Sequence, residues 1–332
     1  MKNNKRLFQF LILSLGCFIC VLVVVLFLKM TEEEAVVTED VRDKTPPVIT
    51  LEGEKFMTLQ VGEEYVEPGF SAVDDCDGDL TDQVTVRGEV RVNGSTQLEY
   101  EVTDASGNTC VEKRYVTVEI GEDEDIIYLT FDDGPGPYTE RLLDVLDKYN
   151  VKVTFFVTGA NDDYYDLIGE AYERGHTVAL HSYSHKYSIY SSAEKFYEDL
   201  QQIEDLVRLQ TGTMPSIYRF PGGTSNTVSR KYKEGIMKEL TESLPAHGYT
   251  YCDWNVSSGD GGGAQDEATV INNVLNGIQK LGKRESAIVL MHDIRSFSVD
   301  AVDDIIEWGI ENGYTFLPLA DTSPMVQQNA AN

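Results

Sequence analysis

The chain has 332 residues, more than one ordinary domain needs, and 42% of them are hydrophobic, so a sizeable core is within reach. Its net charge of −29 repels phosphate backbones and argues against a nucleic-acid partner. That charge is unevenly spread: the first 30 residues hold Lys2, Lys5, Arg6 and Lys29 and no acid.

Residues 7–28 carry no charged side chain, a length that spans a bilayer core as a helix. The cations before this stretch and the acidic run after it set the N-terminus in the cytoplasm. A cleaved signal peptide has a shorter apolar region closed by a small-residue cleavage site, which is not seen here. A lipoprotein signal ending at Cys17 fits no better, because the apolar run continues past it. Residues 1–30 therefore read as a cytoplasmic tip and an uncleaved transmembrane signal anchor. The bulk of the chain is expected outside the cell, on a single-pass membrane protein. Residues 31–44, TEEEAVVTEDVRDK, show no sustained apolar period and read as an acidic spacer.

Thr45-Pro46-Pro47 opens a region, 45–121, of short β-rich runs and turn signals: VITL, FMTLQV, FSAV, VTVRGEVRV, LEYEVT and RYVTVEI. None has a helical period, which predicts a small β-sandwich. PPVITLEG, VGEEYVEPGFSAVDDCDGDL and VTDASGN together resemble the bacterial Ig-like modules of surface proteins. Cys76 and Cys110 lie in this region and are the disulfide candidates for an oxidising compartment. Closing their loop of about 35 residues is worth roughly 3–4 kcal/mol in the chain-entropy model. Asp74, Asp75, Asp77 and Asp79 form an acidic loop whose order departs from the start of an EF-hand. It reads as a solvated loop rather than a calcium site.

Seven strand-like runs follow, at 126–131, 151–157, 176–180, 217–220, 249–254, 286–291 and 314–318. Helix-like segments separate most of them. In 192–210, Phe196, Leu200, Ile203 and Val207 make a stripe at helical spacing, preceded by a capping box of Ser191 and Glu194. Residues 266–281 and 299–312 are further helices. Repeated strand–helix units imply a parallel sheet with helices outside it. The expectation is a multidomain chain: transmembrane helix, all-β sandwich, then an α/β deformed (β/α) barrel of about seven strands over 122–320. Residues 321–332 are a tail. An open doubly wound sheet is the alternative for the last domain.

Chemistry in such barrels gathers where the strands end. The first run ends in Asp132-Asp133, the third in His181-Ser182-Tyr183-Ser184-His185 and the fourth in Arg219-Phe220-Pro221-Gly222-Gly223. The fifth ends in Asp253-Trp254 and the sixth in Met291-His292-Asp293. Two imidazoles at short spacing plus a carboxylate make three ligands, the usual set for a catalytic zinc with an open position. One aspartate of the pair binds the metal. The other stays off it and takes a proton from water that the metal acidifies. Arg219 pairs with that free carboxylate. His292 is the candidate general acid, and Asp253 beside it favours the imidazolium. Trp254 offers a flat wall to an acetyl methyl or a sugar face, or packs in the core. His176 and His247 read as structural hydrogen-bonders, and Cys252 as a small core residue. The loop 257–264, SSGDGGGA, lacks the Lys and Ser/Thr of a phosphate loop and reads as a flexible rim loop.

TFDDGP, HSYSH, RFPGG, DW and LMH, in this order, resemble the five motifs of the polysaccharide deacetylases, the NodB-like carbohydrate esterases. The resemblance spans roughly residues 126–318. It implies that Asp132 is the general base, and that Asp133, His181 and His185 bind a divalent metal. Zinc is the expected ion, with cobalt or another divalent ion as alternatives. It implies further that Arg219 holds the base and that His292 is the acid, tuned by Asp253. Pro221, Gly222, Trp254 and Leu290 are implied to line the substrate cleft. Two departures stand out. Many members have a tyrosine near the end of the third motif, whose backbone N–H helps hold the oxyanion. Gly222 keeps that donor and loses the side chain. Some members have an earlier aspartate in the fourth motif, where this chain has Thr250, so subsites do not identify the substrate.

The implied activity is metal-dependent removal of N-acetyl groups from an extracellular amino-sugar polymer. A membrane-anchored enzyme on a short spacer has peptidoglycan N-acetylglucosamine within reach, and a chitin-like oligosaccharide would suit the same site. An O-acetyl xylan esterase is the alternative activity. An inactive wall-binding or adhesion protein is the alternative of another class. The expected partners are an acetylated glycan and the membrane, with the Ig-like module as a stalk or weak wall binder. The sequence carries no sign of oligomeric state.

Overall fold

The computed structural model describes residues 43–121 and 124–331. The expected membrane span at residues 7–28 lies outside the described residues, among which no helix is long and apolar enough to cross a membrane.

The first module is a sandwich of two sheets. β1 (Val48–Leu51), β3 (Phe70–Asp74) and β4 (Gly78–Asp79) form one of them. β2 (Phe56–Gln60), β5 (Thr85–Arg87), β6 (Gly94–Thr103) and β7 (Thr109–Glu119) form the other, in the order β2-β7-β6-β5. β6 shows the cause. Alternate side chains Leu98, Tyr100 and Val102 are buried against Ile49, Ala72 and Val116, while Glu99 and Glu101 point away. Cys76 and Cys110 are free thiols, so the expected disulfide is not formed. Cys76 is exposed in the turn after β3, whereas Cys110 sits in β7 opposite Val102 and packs on the sandwich core.

The second domain is built on eight parallel strands: β8 (Ile126–Asp132), β9 (Thr154–Thr158), β10 (Thr177–Ser182), β11 (Ile217–Tyr218), β12 (Thr250–Tyr251), β13 (Val256–Ser257), β14 (Ala287–His292) and β15 (Thr315–Phe316). Their order is β12-β11-β10-β9-β8-β14-β13, with β15 also paired to β8. Seven match the expected runs. β13 was not expected because it lies between the run at 249–254 and the glycine-rich loop, with no apolar run of its own. The edge strands β12 and β13 do not pair, so the barrel is open between them. The C-terminal tail occupies this gap: the Asp253 N–H donates to the Val326 carbonyl at 2.7 Å, and the Gln328 side chain donates to the Trp254 carbonyl at 2.9 Å.

Alternation along the strands separates two cores. Ile127, Leu129 and Phe131 of β8 face the helices, with Val178 and Leu180 of β10 and Val289 and Met291 of β14. Ile126, Tyr128, Phe156, Ala179, Ile217 and Ile288 fill the barrel interior. The same alternation sends Asp132, His181 and His292 inward at the strand tips. The helix Ala193–Thr211 covers the outer face with Phe196, Leu200, Ile203 and Val207, as the stripe predicts. Its cap is Ser192, whose side chain accepts the Lys195 N–H, rather than Ser191. The segment expected as one helix over 299–312 is two, Ser296–Asp300 and Val302–Glu311. The sandwich docks under the strand starts, where the Asn93 amide donates to the Pro318 carbonyl at 2.8 Å and the Ser95 N–H to Asp321 at 3.0 Å.

Candidate active site

Asp132 ends β8 and is 3% exposed. Its Oδ1 accepts Nη1 of Arg219 at 2.8 Å. Arg219 is fully buried and spends its other donors on the carbonyls of Cys252 and Asp253 and on Thr130, at 2.9, 3.0 and 2.7 Å. The guanidinium also lies over the Phe156 ring, 3.9 Å from its centroid. Four fixed contacts leave it one geometry, so it holds one oxygen of Asp132 and leaves Oδ2 open to the site.

Asp133 comes next, and alternation would send it outward. Its φ of 74° turns it back onto the rim instead, a left-handed backbone that Asp tolerates better than most residues. His185 is likewise left-handed, at φ 49°. Both strained residues meet at one point: Nε2 of His185 and of His181 lie 3.0 and 3.4 Å from Asp133 Oδ1. That oxygen is buried and has no hydrogen-bond partner. His181 uses Nδ1 on the Arg219 carbonyl at 2.7 Å, which makes Nδ1 the donor and leaves the Nε2 lone pair facing Asp133. Burial favours neutral Asp133, but the close approach and charge of His181, then the charges of His185 and His292, hold its carboxyl well below the usual range. Burial and the charge of His181 push His185 down and keep it neutral. Burial works against a charged His181, but the charge of Asp132 and the contacts with Asp133 raise it. That concentrated negative charge is what a cation at this point would satisfy. An orphaned carboxylate oxygen, two correctly oriented imidazole nitrogens and an open face fit a divalent metal.

The turn that carries His185 depends on a residue that sequence reasoning missed. Asp199, on the helix Ala193–Thr211, is 6% exposed and captures three donors: the Ser182 hydroxyl and the N–H groups of Tyr183 and Ser184, at 2.6, 2.9 and 2.9 Å. The Ser182 hydroxyl in turn accepts the His185 N–H at 2.9 Å. A carboxylate buried among Phe196, Leu200 and Ile203 on this helix was the available signal. Asp199→Ala is expected to lower divalent-metal affinity about 10–100-fold, read by calorimetric titration of folded protein. Wild-type affinity in a folded variant would rule out this positioning role.

His292 ends β14 with Nε2 3.8 Å from Asp133 Oδ2. Its partner is not the expected Asp253. The Nδ1 of His292 lies 2.7 Å from Oδ1 of Asp260, a residue of the glycine-rich loop. Asp260 also accepts the His292 N–H at 2.8 Å and the Ser298 hydroxyl at 2.6 Å. The loop is therefore an ordered turn rather than a flexible rim: the N–H groups of Gly262, Gly263 and Ala264 all donate to the Gly259 carbonyl. Gly261 packs against the imidazole so closely that a Cβ there would stand 3.2 Å from its Cε1. Burial alone would lower the pKa of His292, but the Asp260 hydrogen bond and charge, with those of Asp132 and Asp133, raise it to about 9. Asp253 faces elsewhere. Its carboxylate accepts the Thr224 N–H and hydroxyl and the Gln328 N–H, tying the fourth-strand loop to the tail. Asp260 escaped notice because it sits in a glycine-rich loop after β13, a strand with no apolar run of its own.

The remaining expected residues line the same rim. The Gly222 N–H donates to no acceptor among the described residues, and its φ is 78°. The Tyr187 hydroxyl stands over it, 2.4 Å from where a Cβ would be, so this phenol fills the space the missing side chain leaves. The Pro221 carbonyl accepts the Tyr190 hydroxyl at 2.9 Å. Trp254 is partly buried, 5.7 Å from the Arg219 guanidinium, and walls the loop at Gly223. Leu290 is 9% exposed, on β14. Outside the site, His176 accepts the Val153 N–H at 3.1 Å and His247 hydrogen-bonds the Ser243 carbonyl at 3.0 Å, both structural.

Two family models match the chain: polysaccharide deacetylase over residues 120–236 and bacterial surface protein Ig-like domain over residues 49–118. A peptidoglycan-N-acetylglucosamine deacetylase of Bacillus cereus is 32% identical over 203 residues, 59% of this chain and 70% of that protein. A peptidoglycan-N-acetylmuramic acid deacetylase of Bacillus subtilis is 25% identical over 288 residues, 84% of this chain and 57% of that protein. The crystal structure of the catalytic domain of a peptidoglycan N-acetylglucosamine deacetylase from Eubacterium rectale is similar, with a TM-score of 0.62 and 54% identity over 64% of this chain and 96% of that one. Three of the five motifs fall within the deacetylase family model, and the Bacillus cereus relative is matched over 70% of its length; the chain belongs to the polysaccharide deacetylases and is an enzyme of that family joined to an Ig-like module.

Proposed function

We propose that this enzyme removes N-acetyl groups from peptidoglycan amino sugars, N-acetylglucosamine first among them, with a divalent metal held by Asp133, His181 and His185. The observation that carries this reading is the division of the aspartate pair: Asp133 Oδ1 is an orphan between two imidazoles, while Asp132 is held away by Arg219. Zinc suits two imidazoles and one carboxylate with an open position. When bound, the metal supplies Lewis acidity, acidifying adjacent water and stabilising charge on the acetyl oxygen.

The chain's own groups do the rest. Asp132 Oδ2 takes the proton from the attacking water, and Arg219 keeps that carboxylate oriented throughout. The free N–H of Gly222 faces the charge that develops on the acyl oxygen. His292, protonated at neutral pH, donates from Nε2 to the departing amine while Asp260 holds Nδ1. An amine is a poor leaving group unless protonated, so an acid raised to about 9 suits amide cleavage. Support for peptidoglycan comes from the activities of the similar proteins and from the anchor expected at residues 7–28, which places the catalytic domain beside the wall.

Acetate release from peptidoglycan, chito-oligosaccharides and acetylated xylan, each with and without zinc, tests the reading. Release is expected from peptidoglycan and greatest there. Release from xylan alone would make the protein an O-acetyl esterase, and no release from any of them would leave a binding protein.

A further inference from the structure

The acidic loop of the Ig-like module, read from sequence as solvated, is partly buried. Asp74 ends β3 and is 4% exposed. Its Oδ1 accepts the N–H groups of Cys76 and Asp77 at 2.9 and 2.8 Å, while Oδ2 is buried with no hydrogen-bond partner. Asp43, at the start of the module, repeats this arrangement. Its Oδ1 accepts the Thr45 N–H at 2.9 Å, and its Oδ2 is buried and unpartnered.

Carboxylate oxygens of Asp43, Asp74 and Asp75, with the Cys76 sulfur, lie within 4.8 Å of one another. Oxygens of Asp74, Asp77 and Asp104 form a second set within the same distance. Four cations of the module are engaged elsewhere: Lys55 with Glu112, Arg87 with Glu101, Lys113 with Glu99 and Arg114 with Glu67. The backbone around the acids is already assembled. Asp77 accepts the Ala105 N–H at 2.8 Å, and the Asn108 amide bridges the Asp43 carbonyl and Asp104, at 3.2 and 2.7 Å. Two unpaired carboxylate oxygens buried among further acids are strongly unfavourable without a cation between them.

We propose that Asp43, Asp74 and Asp75 form a calcium site that fastens the start of the Ig-like module to the turn after β3. Asp77 and Asp104 add negative charge behind it. The donors are hard oxygens, as calcium requires. The Cys76 sulfur is a soft donor and stands outside the ligand set of a hard cation. Calcium here would couple the acidic spacer, which ends at this point, to the rigid sandwich.

The full chain in detergent, with zinc supplied to the deacetylase site, is titrated with calcium chloride by calorimetry and by thermal unfolding. One calcium per chain is expected, in the range of about 10⁻⁴–10⁻³ M found for extracellular modules, with Tm rising as calcium is added. Asp74→Asn should weaken binding at least about tenfold, because one anionic ligand is lost while its turn hydrogen bonds can still form. Should that variant fail to fold, exposed Asp75→Asn is expected to weaken binding as well. Asp133→Asn and Cys76→Ser should leave calcium affinity unchanged. Absence of binding at about 10 mM, above that range, would overturn the proposal. So would undiminished binding in both Asp74→Asn and Asp75→Asn, or zinc binding at this loop that Cys76→Ser abolishes.

Discussion

Asp132→Asn is expected to cut acetate release by about 10²–10⁴-fold while the protein keeps its divalent metal at the wild-type stoichiometry. The amide preserves the shape of the side chain and an oxygen for Arg219, which sits 2.8 Å away, so the site should stay assembled. What disappears is the basic Oδ2. The neighbouring change, Asp133→Asn, removes the anionic ligand that two imidazoles face. It should lose activity by losing metal, and excess zinc should restore part of it. Activity and metal content measured on the same samples separate the two. Equal metal loss in both variants would contradict the assignment of one aspartate to the metal and the other to the proton.

Asp260→Asn is expected to move the alkaline limb of the kcat profile down by about one to two pH units and to lower kcat at pH 8 and above. The sign follows from the chemistry. His292 acts as an acid only while protonated, so activity is present below its pKa, about 9, and is lost as pH rises through it. The Asp260 hydrogen bond is the leading influence that raises this value against burial, and it remains when a cation faces Asp133. Without the Asp260 charge, burial pulls the imidazole down. Asp253→Asn is the control: its carboxylate holds Thr224 and the tail, so it should affect stability and leave the limb in place. A limb that moves with Asp253 and stays fixed with Asp260 would restore the expectation drawn from sequence.

The contrast between these two aspartates shows what the sequence makes legible. Asp132, His181 and His292 stand at the ends of β8, β10 and β14, long enough for alternation to reveal which side chains turn inward. Arg219 follows a short strand but comes in a motif with a distinctive order. Asp260 follows a two-residue strand in a glycine run, where neither period nor composition marks it. Asp199 acts from a helix through backbone N–H groups, and a hydrogen bond to backbone leaves no partner residue in the sequence to search for. The sandwich was readable from its alternating runs. The fate of Cys76 and Cys110 was not, because whether two thiols meet depends on the tertiary placement of each turn and strand.

Deacetylation should depend on the metal that Asp133, His181 and His185 hold. One titration decides this: acetate release from peptidoglycan by chelated protein as zinc is returned, with bound metal quantified at each step. No release is expected from metal-free protein, with recovery in proportion to zinc and complete at one ion in the deacetylase site. Release at the full rate from protein shown to be metal-free would contradict it.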